Sequence, residues 1–323
     1  MLCLPLSNSI RVFIDTQTVY HREAFVATDK PVFLFPGQGS QTPGMGQDLY
    51  KVAELRSYFD QAEAAVPGLL EAMSNGPAET LSQTQLAQPA LFTVGAALSA
   101  ALGERGVTPT CCAGHSLGEF TALHASGALT FEEALRLVAA RGRCMSQEVP
   151  EGTMAAVMGL DPEAIEAALP EGATVANYNG PQQTIITGSK AAIAAADEAL
   201  KAAGAKRVVP LAVSGPFHSP LMEGAAKAFQ TELAEAAIQA PVYPFVSSVT
   251  GGETSDPEKI RELLTKQICA PVRWTAVMET IGPASALELG PGRVLQGLAK
   301  RMPNGPDIMC VGTVEALNAL EER

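Results

Sequence analysis

The stretch PTCCAGHSLGEFTALHAS, residues 109–126, decides the fold. Its first residues, PTCCA, are small and apolar and read as a buried strand. From Leu117 to about Ser126 the spacing is helical. Between them stands Gly114-His115-Ser116-Leu117-Gly118. A G-x-S-x-G between a strand and a helix has the form of a nucleophile elbow. The glycines permit a sharp turn, and the serine Oγ projects at the start of the helix. There the positive helix end and free backbone N–H groups favour a developing oxyanion.

Outward from this elbow the chain alternates strands and helices. Residues 31–35 (PVFLF) read as a short buried strand ended by Pro36-Gly37, and helical spacing runs over 47–65. A helix is expected over 89–104, with Pro89 in its first turn and its end near Gly106. Another is expected over 131–147, with Thr130 as N-cap and Glu133 three residues on. Strands at 154–159, 173–178, 183–188 and 206–211, with helices at 162–169 and 190–203, give the order β-α-β-β-α-β. That is the split βαβ unit of ferredoxin-like domains. After it come a Ser-Gly-Pro-Phe-His loop (214–218), a helix over 220–237 and a strand at 244–249. Helices over 257–267 and from Trp274 to 281, a strand at 286–289 and a helix over 293–301 follow. The expected fold is α/β: a hydrolase-like large domain with a mainly parallel sheet over 31–150 and 214–315, and an inserted ferredoxin-like small domain over 151–213. Residues 1–30 lack a basic n-region, a signal-quality apolar stretch and a cleavage site, and are expected to be a poorly ordered extension.

Composition excludes several functions. The 323 residues are 47% hydrophobic and 17% charged, which is too apolar for disorder. No run is read as reaching the roughly 18 apolar residues of a membrane span. The net charge of −12 argues against a nucleic-acid partner. The six cysteines form no C-x-x-C pair and read as reduced thiols of a cytoplasmic protein. No two of the four histidines have metal-ligand spacing on one element, so no metal is expected.

A serine nucleophile needs a base. His21 lies in the extension, His115 adjoins the serine and points away from it, and His124 falls inside a helix. His218, in the 214–218 loop about 100 residues downstream, is the remaining candidate. No acidic residue sits in an obvious loop between serine and histidine, but a carbonyl oxygen can orient a histidine. The loop Phe35-Pro-Gly-Gln-Gly-Ser-Gln41 lacks the Lys-Ser/Thr of a P-loop, and Thr42 breaks G-x-G-x-x-G. It suits close approach to an oxyanion better than phosphate binding.

Seven segments occur together in order: FPGQGSQ (35–41), QPAL (88–91), GHSLGEF (114–120), RGRCM (141–145), NYNGPQQ (177–183), GPFHSPLM (215–222) and GPGRVLQGL (290–298). With them the chain closely resembles the malonyl-CoA:acyl carrier protein transacylase family of bacterial type II fatty acid synthesis, over about residues 31–315. The resemblance implies Ser116 as acylated nucleophile and His218 as its base. It implies Gln38 and the Leu117 N–H at the oxyanion hole, and Gln267 as the residue whose carbonyl orients the histidine. It selects Arg141, among Arg136, Arg141 and Arg143, as the partner of the malonyl carboxylate. Gln88 and Asn179 match pocket positions, and Phe217 matches a position whose bulk disfavours methylmalonyl. No cofactor is implied beyond the substrates malonyl-CoA and phosphopantetheinylated acyl carrier protein. An acidic carrier protein would have to dock on a local basic patch, for which Lys190, Lys201, Lys206, Arg207, Lys266 and Arg273 are candidates. The alternatives are a serine thioesterase or esterase, a related acyltransferase of polyketide synthesis or malonate decarboxylation, and a non-catalytic binding module.

Overall fold

The computed structural model describes residues 30–147 and 149–320. The expectation for the N-terminal extension, with His21 and Cys3, lies outside them except at Lys30.

Five parallel strands form the main sheet: β1 (Val32–Phe35), β2 (Cys112–Gly114), β7 (Phe245–Val246), β8 (Ser285–Leu289) and β9 (Asp307–Val311). Their order is β7-β2-β1-β8-β9. Neighbours are in parallel register, as in Phe35 opposite Gly114 and Phe33 opposite Leu287. β1 is apolar along its whole length because both faces of a parallel sheet are covered by helices. Phe33 and Phe35 enter the larger core cluster, Val32 and Leu34 the cluster on the other face.

A second sheet is built from β3 (Thr153–Met158), β4 (Ala173–Gly180), β5 (Gln183–Gly188) and β6 (Arg207–Pro210). Its order is β4-β5-β3-β6, with every pair antiparallel. With helices Pro162–Ala168 and Lys190–Ala202 this is the β-α-β-β-α-β order expected from the sequence. It has its own core, around Val157, Ile165, Ile186 and Leu200. The outer strand β4 is tied to the main body: Tyr178 N–H donates to Val272 O at 2.8 Å and Val272 N–H to Ala176 O at 2.8 Å.

The α/β class and both sheets match the expectation. Several boundaries do not. The helix expected from Pro89 begins at Thr84, and Pro89 lies inside it. Proline removes one N–H and so one bond to the carbonyl four residues back. Burial of the Thr84–Glu104 face outweighs that loss. At Gly95 a Cβ would stand 2.9 Å from Thr121 Cγ2 and 3.2 Å from Phe35 Cδ1, so close packing on the helix that holds Thr121, and on β1 behind it, requires glycine there. This helix also corrects the reading that no segment could span a membrane. Its length and hydropathy suffice, but 78% of its apolar window is buried inside the protein, where it forms core. The 47–65 segment is two helices, Gln47–Tyr50 and Arg56–Ala65, separated by turns closed by bonds such as Leu55 N–H to Val52 O. The 244–249 strand shrinks to Phe245–Val246, because Ser247 and Ser248 turn out of the sheet to other partners. The Asp307–Val311 strand and the Val314–Asn318 helix lie beyond the last element read from the sequence.

Candidate active site

Ser116 and the loop of Gln38 leave the carboxyl ends of adjacent strands, β2 and β1, where open parallel sheets place their ligands. The turn at Ser116 is steric in origin. Its φ is +51°, a left-handed value costly for a residue with a Cβ. The flanking glycines allow it: a Cβ on Gly114 would lie 1.9 Å from Gly118 C, and a Cβ on Gly118 would lie 2.1 Å from Phe35 O. His115 N–H donates to Phe35 O at 2.9 Å and ties the turn to the end of β1. The helix Gly118–Ala125 then starts directly behind the serine.

The Ser116 hydroxyl meets His218 Nε2 at 2.8 Å. His218 Nδ1 lies 3.0 Å from both the Gln267 and the Ala270 carbonyl oxygens. Those two acceptors fix the tautomer, with the proton on Nδ1 and the lone pair of Nε2 facing the serine. Burial pushes the His218 pKa down to about 3; the Arg141 charge acts in the same direction and the two carbonyls oppose it. The imidazole is therefore neutral at pH 7, as a proton acceptor must be. The backbone N–H groups of Leu117 and Gln38 donate to no acceptor among the described residues. The amide of Gln38 itself turns to Thr84 Oγ1 at 3.1 Å, which in turn lies 3.4 Å from Ser214 Oγ.

Arg141 stands in the last turn of the amphipathic helix Phe131–Cys144 and is 1% exposed. Thr130 caps this helix as expected, accepting from Glu133 N–H at 3.2 Å, while the Glu133 carboxylate pairs with Arg136 rather than closing a capping box. Arg141 Nη1 donates to Gln88 Oε1 at 2.9 Å and Nη2 to Ser116 Oγ at 3.2 Å. Its Nε is buried without a partner. No carboxylate among the described residues lies within ion-pair distance of this guanidinium. Burial lowers its pKa to about 10 and the Glu119 charge opposes that shift, so the charge stays at neutral pH. Arg136, one of the two rival candidates, is committed to Glu133 and Glu232 at the surface.

Ser116, His218, Gln267, Arg141 and Gln88 thus form one bonded group. Asn179 joins it only through His115, whose Nε2 lies 2.9 Å from Asn179 Oδ1. Phe217 packs into the main core, 6% exposed. Two participants were not anticipated. Ala270 acts through its carbonyl, for which a side chain gives no signal. Glu119, a buried carboxylate three residues after the serine, does not touch His218 but accepts from Gln267 Nε2. Its signal was the acid in GHSLGEF, in the first turn of a largely buried helix. A cleft of about 420 Å³ opens at His218, lined by Glu166, Tyr178, Pro220, Cys269 and Pro271.

The comparisons with known proteins fit this geometry. Residues 32–313 match the model of the acyl transferase domain family. A malonyl CoA-acyl carrier protein transacylase of Escherichia coli K12 is 43% identical over 285 residues, covering 84% of this chain and 92% of that protein. The Bacillus subtilis protein of the same name is 41% identical over 286 residues, covering 84% and 90%. A malonyl-transacylase solved in complex with a type II polyketide acyl-carrier protein superposes with a TM-score of 0.86 at 39% identity, covering 91% of this chain and all of that one. The chain belongs to the acyl transferase domain family and, within it, to the malonyl CoA-acyl carrier protein transacylases.

Proposed function

We propose that this enzyme transfers the malonyl group from malonyl-CoA to the phosphopantetheine thiol of acyl carrier protein, through an ester on Ser116, and so supplies fatty acid chain elongation. The observation that carries this reading is Arg141. Among the described residues it is a buried cation with no carboxylate within ion-pair distance, Glu119 acting on it only from further away, and it has an orphaned Nε–H and an Nη2–H on the nucleophile itself. Burying an unpaired charge is costly unless a ligand completes it. A carboxylate beside an acyl carbon at Ser116 supplies that partner through two charge-assisted hydrogen bonds.

His218 Nε2 takes the hydroxyl proton as Ser116 Oγ attacks the thioester carbon. The backbone N–H groups of Leu117 and Gln38 receive the oxyanion. Collapse of the tetrahedral intermediate breaks the C–S bond, and His218 returns the proton to the leaving thiol of CoA. The thiol of acyl carrier protein then attacks the malonyl ester and gives its proton to His218, and Ser116 leaves with that proton. The carbonyls of Gln267 and Ala270 take the place of a triad acid, stabilising the imidazolium as it forms. Gln88 holds Arg141, and Asn179 and Phe217 shape the surroundings. Residues 151–213 form the inserted domain in this reading, with 31–150 and 214–315 as the catalytic one. A cytoplasmic location fits the five free thiols among the described residues.

Intact mass after brief mixing with malonyl-CoA tests the proposal. A gain of one malonyl group, absent in Ser116→Ala, weak with acetyl-CoA and discharged by acyl carrier protein, is expected. Steady release of CoA with no adduct would mean a thioesterase.

A further inference from the structure

The Glu119 carboxylate takes no part in the proton path, yet it is wholly buried beside it. Its Oε1 accepts from Ser248 N–H at 3.0 Å and its Oε2 from the Ser248 hydroxyl at 2.9 Å. Oε2 also accepts from Gln267 Nε2. That same Nε2 donates to the Ser116 carbonyl at 3.0 Å, while the Gln267 backbone carbonyl accepts from His218 Nδ1 at 3.0 Å. Gln267 is therefore bound to the nucleophile's backbone by its side chain and to the base by its main chain.

An ionised carboxylate only accepts hydrogen bonds. Glu119 and the Ser116 carbonyl together dictate that the NH₂ end of Gln267 points inward. A flipped amide would set its oxygen against two acceptors. In the orientation adopted, Gln267 Oε1 is buried with no partner, so the two acceptors outweigh the amide's own unmet oxygen. We infer that Glu119 is a positioning residue: its carboxylate fixes Gln267, and through the Gln267 carbonyl it holds His218 in line with Ser116. The inference rests on Ser116 and His218 being nucleophile and base. Burial raises the Glu119 pKa, and the hydrogen bonds from Ser247, Gln267 and Ser248 pull it back. The same carboxylate draws Ser248 out of the main sheet, which ties the end of β7 to the site.

The test compares Glu119→Gln, Gln267→Ala and the double variant. The first keeps the shape of the side chain but places an NH₂ group among donors. The second leaves the Gln267 backbone carbonyl in place and removes only the side-chain tie. Each should lower kcat about 10–100-fold, the size of loss seen when a group that orients a metal-binding histidine is removed. The KM for malonyl-CoA should be unchanged. The labelling of Ser116 by a fluorophosphonate should slow by the same factor, and the double variant should be no slower than the slower single. A role confined to anchoring Ser248 would lower the melting temperature of Glu119→Gln but leave its kcat intact. That result, a wild-type kcat in Gln267→Ala, or multiplying losses in the double variant would overturn the inference. If Glu119→Gln does not fold, Gln267→Ala decides alone. Wild-type protein that labels with fluorophosphonate but takes no malonyl group would refute the proposed substrate, while the labelling rates would still judge Glu119.

Discussion

Ser116 and His218, which share a 2.8 Å hydrogen bond, are also the two non-glycine residues with positive φ among the described ones, at +51° and +55°. Both partners of the proposed proton transfer are held in a conformation that their own side chains disfavour. Such strain persists only where the surroundings over-determine it. Here the glycines pack the elbow from one side, and the Ile268 carbonyl takes the His218 N–H at 3.1 Å from the other.

The elbow should therefore not tolerate a methyl group. Gly114→Ala and Gly118→Ala each drive a Cβ into backbone atoms, at 1.9 and 2.1 Å, which no rotamer change can relieve. A loss of more than about 4 kcal/mol of stability, or failure to fold, is expected in urea unfolding. Gly39→Ala serves as the control, since a Cβ there meets nothing within 4 Å. Its positive φ of 106° should cost only about 1–3 kcal/mol.

Selectivity for a carboxylated acyl group should reside in Arg141. Arg141→Ala should lower kcat/KM for malonyl-CoA by about 2–5 kcal/mol in transition-state terms. It should leave acetyl-CoA little affected, so the ratio of the two substrates measures the pair directly. Arg141→Lys should recover only part of the loss, because an ammonium cannot grip both oxygens in a plane. An unchanged malonyl-to-acetyl ratio in Arg141→Ala would show that the carboxylate binds elsewhere.

The pH profile should show a base far more acidic than ordinary histidine. Burial, and then the Arg141 charge, depress His218 to about 3, so the neutral form persists as pH falls through 6.5. The acid limb of Ser116 labelling by fluorophosphonate should then lie well below pH 6.5. Removing the Arg141 charge by Arg141→Ala should move that limb upward, since one cause of the depression is gone. A limb at or above 6.5 in the native protein would contradict this account.

Docking of an acidic carrier protein on this acidic chain should be sensitive to salt. Of the six candidate cations, Lys190, Lys201 and Lys266 are engaged by Glu151, Asp197 and Glu262. Lys206, Arg207 and Arg273 form no ion pair among the described residues. Arg273 lies over the Tyr178 ring, which lines the cleft at His218. Arg273→Glu and Lys206→Glu should raise the KM for acyl carrier protein several-fold. Added salt should shrink the difference from wild type, as expected when the Debye length falls below about 10 Å. A KM indifferent to both charge reversal and ionic strength would remove the patch.

The sequence by itself determined what depends on local sterics and short-range pattern. Gly114 and Gly118 around Ser116 announced the elbow, because only glycine lets two backbones approach that closely. Thr130 announced its helix, because a side-chain oxygen three residues before a free N–H is a local fit. The β-α-β-β-α-β order of the second sheet was readable because strand and helix periods differ. Tertiary structure decided what depends on partners distant in the chain. Burial against the Phe131–Cys144 and Gly118–Ala125 helices carries a helix through Pro89, against its local preference. Ser247 and Ser248 leave their strand for Gly252 and for Glu119, 129 residues before Ser248. The carbonyls of Gln267 and Ala270 accept from His218 Nδ1, and every residue type has a carbonyl, so no residue type marks them. The positive charge of Arg141 was visible in the sequence. That no carboxylate among the described residues comes within ion-pair distance of it was not, since that follows from which side chains the folded chain keeps away.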